Sequence, residues 1–215
     1  MTNFIPLFPL NIVVYPGEEL NLHIFEPRYK QLISECFEGK KEFGIATVLK
    51  NGITESGTTV HIVSVEKIHG DGEMDIKTRG DKVFTILDHI KDIPDKLYSG
   101  VIVNYPENMN EGIEEKMPTL LKLLRKFHKL LDVEKKYKKP DHLLNVYDVA
   151  HHAGLSLEQE YELLTLLKEP QRQEYLYQHL QKTIPTIVEL QNLKKRIELN
   201  GHFRKLSVNE GNEEE

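Results

Sequence analysis

Tryptophan is absent from this 215-residue chain and cysteine occurs once, as Cys36. That excludes a disulfide framework and any cysteine-rich zinc module. Long apolar runs are also missing. None approaches the roughly 18 consecutive residues that a membrane helix needs, so no membrane span is expected. The opening MTNFIPLFPLN has neither a basic leading region nor a small-residue cleavage site, so no secretory signal is expected and the cytoplasm is the expected compartment. Positive charge is in deficit, with 28 basic against 34 acidic residues and a net charge of −6. A general nucleic-acid binder would carry the opposite excess. What remains is an ordinary soluble balance, 39% hydrophobic and 29% charged, in a length suited to one large domain or two small ones.

Catalytic signatures are equally scarce. A Walker phosphate loop needs Gly, four residues, then Gly-Lys-Ser/Thr, because backbone amides wrap the phosphates and a hydroxyl holds magnesium. The nearest fragment, Gly39-Lys40-Lys41, has Ser34 where the first glycine belongs and Lys41 where the hydroxyl belongs. No GxGxxG follows a strand, no GxSxG surrounds a serine, and HExxH spacing is absent. Asp148, His151 and His152 stand at i, i+3 and i+4, but metal sites want three or four protein ligands and only His142 lies nearby in sequence. They read as helix-end histidines near the negative end of the dipole. Cys36, on an apolar helix face, reads as a packed small hydrophobe. No enzyme activity, cofactor or metal is expected.

The apolar patterning divides the chain. Up to about residue 107 it is short and β-like. Residues 60–65 and 74–78 alternate with period two, and the Asp71-Gly72 pair between them signals a hairpin. Residues 83–87 and 100–105 predict further strands. One helix interrupts them over 26–38, with Tyr29, Leu32, Ile33 and Cys36 at helical spacing and Gly39 as its stop. Beyond Pro106 the period becomes helical. Pro118 suits a first turn, and Leu120, Leu121, Leu124, Phe127, Leu130 and Leu131 form a broad stripe expected to end at Lys138–Asp141. A short helix is expected over 146–153. Ser156 with Gln159 forms a capping box for a helix to about Lys168. Pro170 opens a last helix that Pro185 should kink or restart and Asn200-Gly201 should stop. The fold class is therefore α+β, a β-rich unit over 1–107 and a helical unit over 108–205. Residues 206–215 read as a disordered acidic tail.

One local excess of positive charge stands out. Residues 116–139 carry nine basic residues against Asp132 and Glu134. The plainer reading is a solvated helix face running into a lysine-rich loop; Lys122, Arg125, Lys126 and Lys129 are the candidate basic patch if the partner is RNA.

The segment 5–47 is the most specific. Pro6-Leu7-Phe8-Pro9-Leu10, Val13-Val14-Tyr15-Pro16-Gly17, Leu22-His23-Ile24-Phe25-Glu26-Pro27-Arg28-Tyr29 and Phe43-Gly44-Ile45 occur in that order, and together they closely resemble the N-terminal substrate-binding domain of Lon proteases. The Lys77–Phe84 segment resembles a later strand of that family. The resemblance extends over roughly residues 3–200. It implies a PUA-like β-rich pseudobarrel with one inserted helix, followed by a C-terminal helical bundle. The family's ATPase module and serine–lysine protease domain have no counterpart in these residues, so the chain looks like a stand-alone substrate-binding protein. The resemblance implies a non-enzymatic module, an adaptor or chaperone-like recogniser, that binds unfolded or tagged polypeptides or a protease or chaperone partner as a monomer or weak homodimer. Phe25, Glu26, Arg28 and Tyr29 are its candidate polypeptide-binding residues, and Glu26 can pair with Arg28 across the first helical turn. The alternative function is RNA binding through segment 116–139.

Overall fold

The computed structural model of the protein describes residues 3–209. Six strands, β1 (Asn3–Leu10), β2 (Glu19–Ile24), β3 (Phe43–Leu49), β4 (Gly52–Ile68), β5 (Met74–Ile90) and β6 (Gly100–Asn104), form one sheet in the order β2-β5-β4-β3-β1-β6. An additional β5–β6 pairing closes β5, β4, β3, β1 and β6 on themselves, while β2 stays outside the closed part. Closure is possible because β5 is 17 residues long. Its first half pairs with β2 (His23 opposite Asp75) and its second half with β6 (Ile86 opposite Val103). Register shifts in β4 and β5, at Thr58/Val60, Ile62/Ser64, Val65/Lys67 and Ile86/Asp88, supply the bends that closure needs. Among the described strands only β1 and β3 run parallel. The crossover that a parallel pair requires contains β2 and helix α1 (Pro27–Gly39).

Residues 74–78 and 83–87, expected as separate strands, are one. The polar run Arg79-Gly80-Asp81-Lys82 looks like a turn in sequence, yet it stays extended because another segment pairs with it. The Gly80 amide donates to the Glu18 carbonyl, and the Gly17 amide donates to the Gly80 carbonyl, each at 2.9 Å. A Cβ at Gly80 would lie 2.3 Å from the Tyr15 carbonyl oxygen, so only glycine admits this approach. Helix α1 includes Gly39 rather than stopping before it. Lys40 takes the left-handed conformation (φ 48°), and the Lys41 amide closes the end by donating to Cys36 O at 2.9 Å.

The helical half comprises α2 (Lys116–Leu130), a 3-10 turn at Asp141–Leu143, α3 (Val146–Val149) running into a 3-10 turn at Ala150–His152, α4 (Leu157–Thr165) and α5 (Glu169–Asn209). The α2 stripe is buried from Met117 to Phe127, but the helix ends at Leu130 rather than near Lys138. Asp132 turns left-handed (φ 55°) and the Val133 amide donates back to His128 O, so Leu131 is exposed. The Ser156–Gln159 capping box forms in both directions. Pro185 does not interrupt α5, which also continues past Gly201. Leu176, Leu180 and Ile184, buried in one cluster with Leu120, Leu121 and Leu124 of α2, hold the helix where proline removes an intrahelical donor. The acidic tail expected over 206–215 falls, from residue 210 onward, outside the described residues. Among those described, no helix is long and apolar enough to cross a membrane.

Three apolar clusters organise the interior. Ile5, Leu7, Phe84, Val101 and Val103 fill the closed sheet. Helix α1 packs Leu32, Ile33 and Cys36 against Phe43, Ile45 and Ile76. The third cluster binds the two halves together, since Val13, Tyr15 and Val83 of the β-rich half lie in the same core as the helices.

Candidate functional site

The strand β2 alternates with the period its pleat requires. Glu19, Asn21 and His23 are exposed on one face; Ile24 is buried on the other, with Leu20 and Leu22 half-buried beside it. Among the described strands β2 pairs with β5 alone, so its second side presents main-chain donors and acceptors without a strand partner. Phe25 follows directly and is 57% exposed. The chain then turns into α1 with Pro27 in the first helical turn, where its missing N–H costs nothing.

The four residues of this turn separate by role. Glu26 Oε2 accepts from Arg28 Nε at 2.9 Å and lies 2.8 Å from Nη2. The Arg28 guanidinium also lies over the Tyr29 ring, 4.5 Å from its centroid. Tyr29 is only 7% exposed and stacks on Phe8 with centroids 4.0 Å apart, so its ring belongs to the core. Phe25 alone of the four offers a broad apolar surface to a partner.

The other end of β2 opens into a cleft of about 720 Å³ between the β-rich and helical halves, with Ile12, Pro16 and Leu20 on one wall and Tyr147 and His151 on the other. Tyr15 pins this junction. Its hydroxyl donates to the Glu160 carbonyl at 3.0 Å and its ring stacks on Tyr147 at 5.0 Å. Burial, with Glu160 and Glu18 nearby, pushes that phenol far above its usual range. His151 joins the same point, 3.1 Å from Glu18 of the β-rich half and 2.8 Å from Glu160 of α4. Burial pulls its pKa down, but the bonds to Glu160 and Glu18 outweigh that and raise it to about 9. His151 is thus an ion-pair partner across the junction. Asp148 instead caps α3 and pairs with Lys139, and among the described residues Asp148, His151 and His152 do not form a group able to share a metal ion. Cys36 is buried on α1 and its thiol is pushed up to about 11, which leaves it protonated and unreactive near neutral pH.

Segment 116–139 is less positive in space than in sequence. Lys116 pairs with Glu174, Lys138 with Glu19 and Lys139 with Asp148. Arg125 holds both oxygens of Asp141, at 2.6 and 2.8 Å. Lys122, Lys126 and Lys129 are exposed on α2.

Sequence reasoning missed the buried ionic centre at the start of α5. Arg172 is fully buried. It donates from Nε to Glu169 at 2.7 Å and from Nη1 to Asn108 Oδ1, Leu166 O and the Tyr147 hydroxyl; Nη2 donates to Met109 O and Asn110 Oδ1. The segment linking the two halves is thereby fastened to the helices. An arginine three residues after a glutamate reads as an exposed helical pair, and nothing local marked it as interior.

Residues 5–182 match the family model of the ATP-dependent protease La (LON) substrate-binding domain. Two solved structures share the fold. The Lon N-terminal domain protein from Xanthomonas campestris is 24% identical, the alignment covering 81% of this chain and 97% of that one, with a TM-score of 0.64. The N-terminal domain of the Mycobacterium avium complex Lon protease is 16% identical over 83% of this chain and 98% of its own, with a TM-score of 0.60. The region so described is a substrate-binding domain and not itself a catalytic one. With its six-stranded sheet, its C-terminal helices and a match spanning most of its length, this chain belongs to the LON substrate-binding domain family.

Proposed function

We propose that the chain is a non-enzymatic recogniser of unfolded polypeptide, and that the bound segment lies extended along the outer side of β2. One observation carries the reading: among the described strands β2 is an edge strand with no second strand partner, bounded by exposed Phe25 at one end and at the other by a cleft that mixes apolar side chains such as Ile12, Pro16 and Leu20 with charged ones. Strand addition suits a substrate-binding domain, because main-chain hydrogen bonds do not depend on the client's sequence and a flanking apolar anchor such as Phe25 selects for unfolded stretches. Each such bond is worth about 0.5–1.5 kcal/mol net. Burying Phe25 adds about 1.5–3 kcal/mol. Set against the cost of ordering the client, these terms give weak, exchangeable binding, as an adaptor or chaperone-like protein requires.

Phe25→Asp removes the anchor without touching the core. It is expected to weaken binding of unfolded casein by about tenfold or more, the equivalent of about 1.4 kcal/mol, as read by fluorescence anisotropy. Equal affinity for the wild-type and Phe25→Asp proteins would remove Phe25 from the site. Of the residues of the RNA-binding alternative, Lys122, Lys126 and Lys129 are exposed while Arg125 is already matched by Asp141, and the chain's net charge of −6 weighs against a nucleic-acid partner.

A further inference from the structure

The hairpin joining β4 to β5 brings together side chains that lie far apart in sequence. Asp75, the second residue of β5, lies directly opposite His23 of β2, and His69 follows the last residue of β4 at the start of the turn. His23 Nδ1 lies 2.7 Å from Asp75 Oδ1, and His69 Nε2 lies 2.8 Å from Asp75 Oδ2. One ligand atom from each of the three can be chosen so that all lie within 4.8 Å of one another. The hairpin is held in shape independently of these side chains, by the His69 amide donating to Glu73 O at 2.8 Å and the Gly72 amide donating to His69 O at 2.9 Å.

A fourth residue gives the cluster the second layer that metal sites use. Glu73 Oε2 lies 3.0 Å from His23 Nε2, the ring nitrogen not directed at Asp75. A metal-binding histidine characteristically donates its far N–H to a carboxylate, which fixes the tautomer and aims the other nitrogen. Nothing about ordinary surface solubility requires one histidine to sit between two carboxylates while a second histidine addresses one of them. Glu73 and Asp75, with Asp71 on the same turn, also outweigh the positive charge of Lys30, whose ammonium donates to the Asp71 carbonyl.

We propose that His23, His69 and Asp75 bind a borderline divalent transition-metal ion, zinc being the representative, with Glu73 orienting His23. Two imidazoles and a carboxylate suit zinc, nickel or copper better than magnesium or calcium, which prefer all-oxygen sets. Three protein ligands leave a position for water. The ion would tie β2 to the β4–β5 hairpin immediately beside Phe25, whose ring lies 6.2 Å from that of His23.

The test is calorimetric titration of the tag-free protein with zinc chloride, repeated with cobalt(II) to read the visible absorption of the bound ion. One ion per chain is expected. His69→Ala and His23→Ala should each abolish that event, and Glu73→Gln should weaken it by about 10–100-fold. Asp75→Asn, nearly isosteric, should behave like the histidine variants, and circular dichroism confirms that each protein is folded. His142→Ala, an exposed histidine on the helical half, should bind as wild type does. Absence of binding at micromolar zinc, or equal affinity in the wild-type, His23→Ala and His69→Ala proteins, would overturn the proposal.

Discussion

Arg172 shows how much a single side chain can hold. A buried guanidinium is tolerable only when its N–H groups are satisfied, and here Glu169, Tyr147, Asn108, Asn110 and two main-chain carbonyls do so. Its removal would strand Glu169, whose carboxyl burial pushes up while Arg172 and the Val146 amide pull it down. Arg172→Met is therefore expected to cost about 3–5 kcal/mol, the toll of breaking a buried ion pair from one side. Urea unfolding measures it. A loss below about 1 kcal/mol would show that the site is wet and the pair screened.

At the scale of elements, the extended backbone of β5 through Arg79–Lys82 depends on Gly80. Gly80→Ala sets a methyl carbon against the Tyr15 carbonyl and is expected to destabilise by about 1–3 kcal/mol, read as a lower urea midpoint. Elements whose signals are local were legible in the sequence. The Ser156–Gln159 box, the α1 stripe through Cys36 and the Asp71-Gly72 turn all form where their side chains say they should. Elements governed by remote partners were not. The continuity of β5 depends on Glu18 and Gly17, some sixty residues away, and the persistence of α5 through Pro185 depends on packing against α2. The candidate site divides in the same way. Phe25 and the Glu26–Arg28 pair were readable from the Phe-Glu-Pro-Arg-Tyr run, whereas the outer position of β2 and the meeting of His23, His69 and Asp75 follow from strand order, which no window of sequence contains.

For the whole molecule, the two halves are joined by Tyr15 and by His151 between Glu18 and Glu160. His151 has an ordinary pKa of about 6.5 when unfolded and about 9 when folded. A raised pKa contributes stability that is fully present below pH ~6.5 and is lost as pH rises through the folded value. Stability should therefore fall between pH ~6.5 and ~9, and His151→Gln should flatten that slope. An unchanged slope in the variant would assign the dependence to other groups. The same junction forms the cleft at one end of β2. On the proposed reading, substrate recognition is a property of where the halves meet and of the strand left outside the closed sheet.

The most direct measurement is amide hydrogen exchange with and without unfolded casein. Client added along β2 should slow exchange at Asn21 to Phe25 while leaving β6, already paired on both sides, unchanged. Protection confined to α2, or no protection at β2 under conditions where casein is bound, would contradict the account.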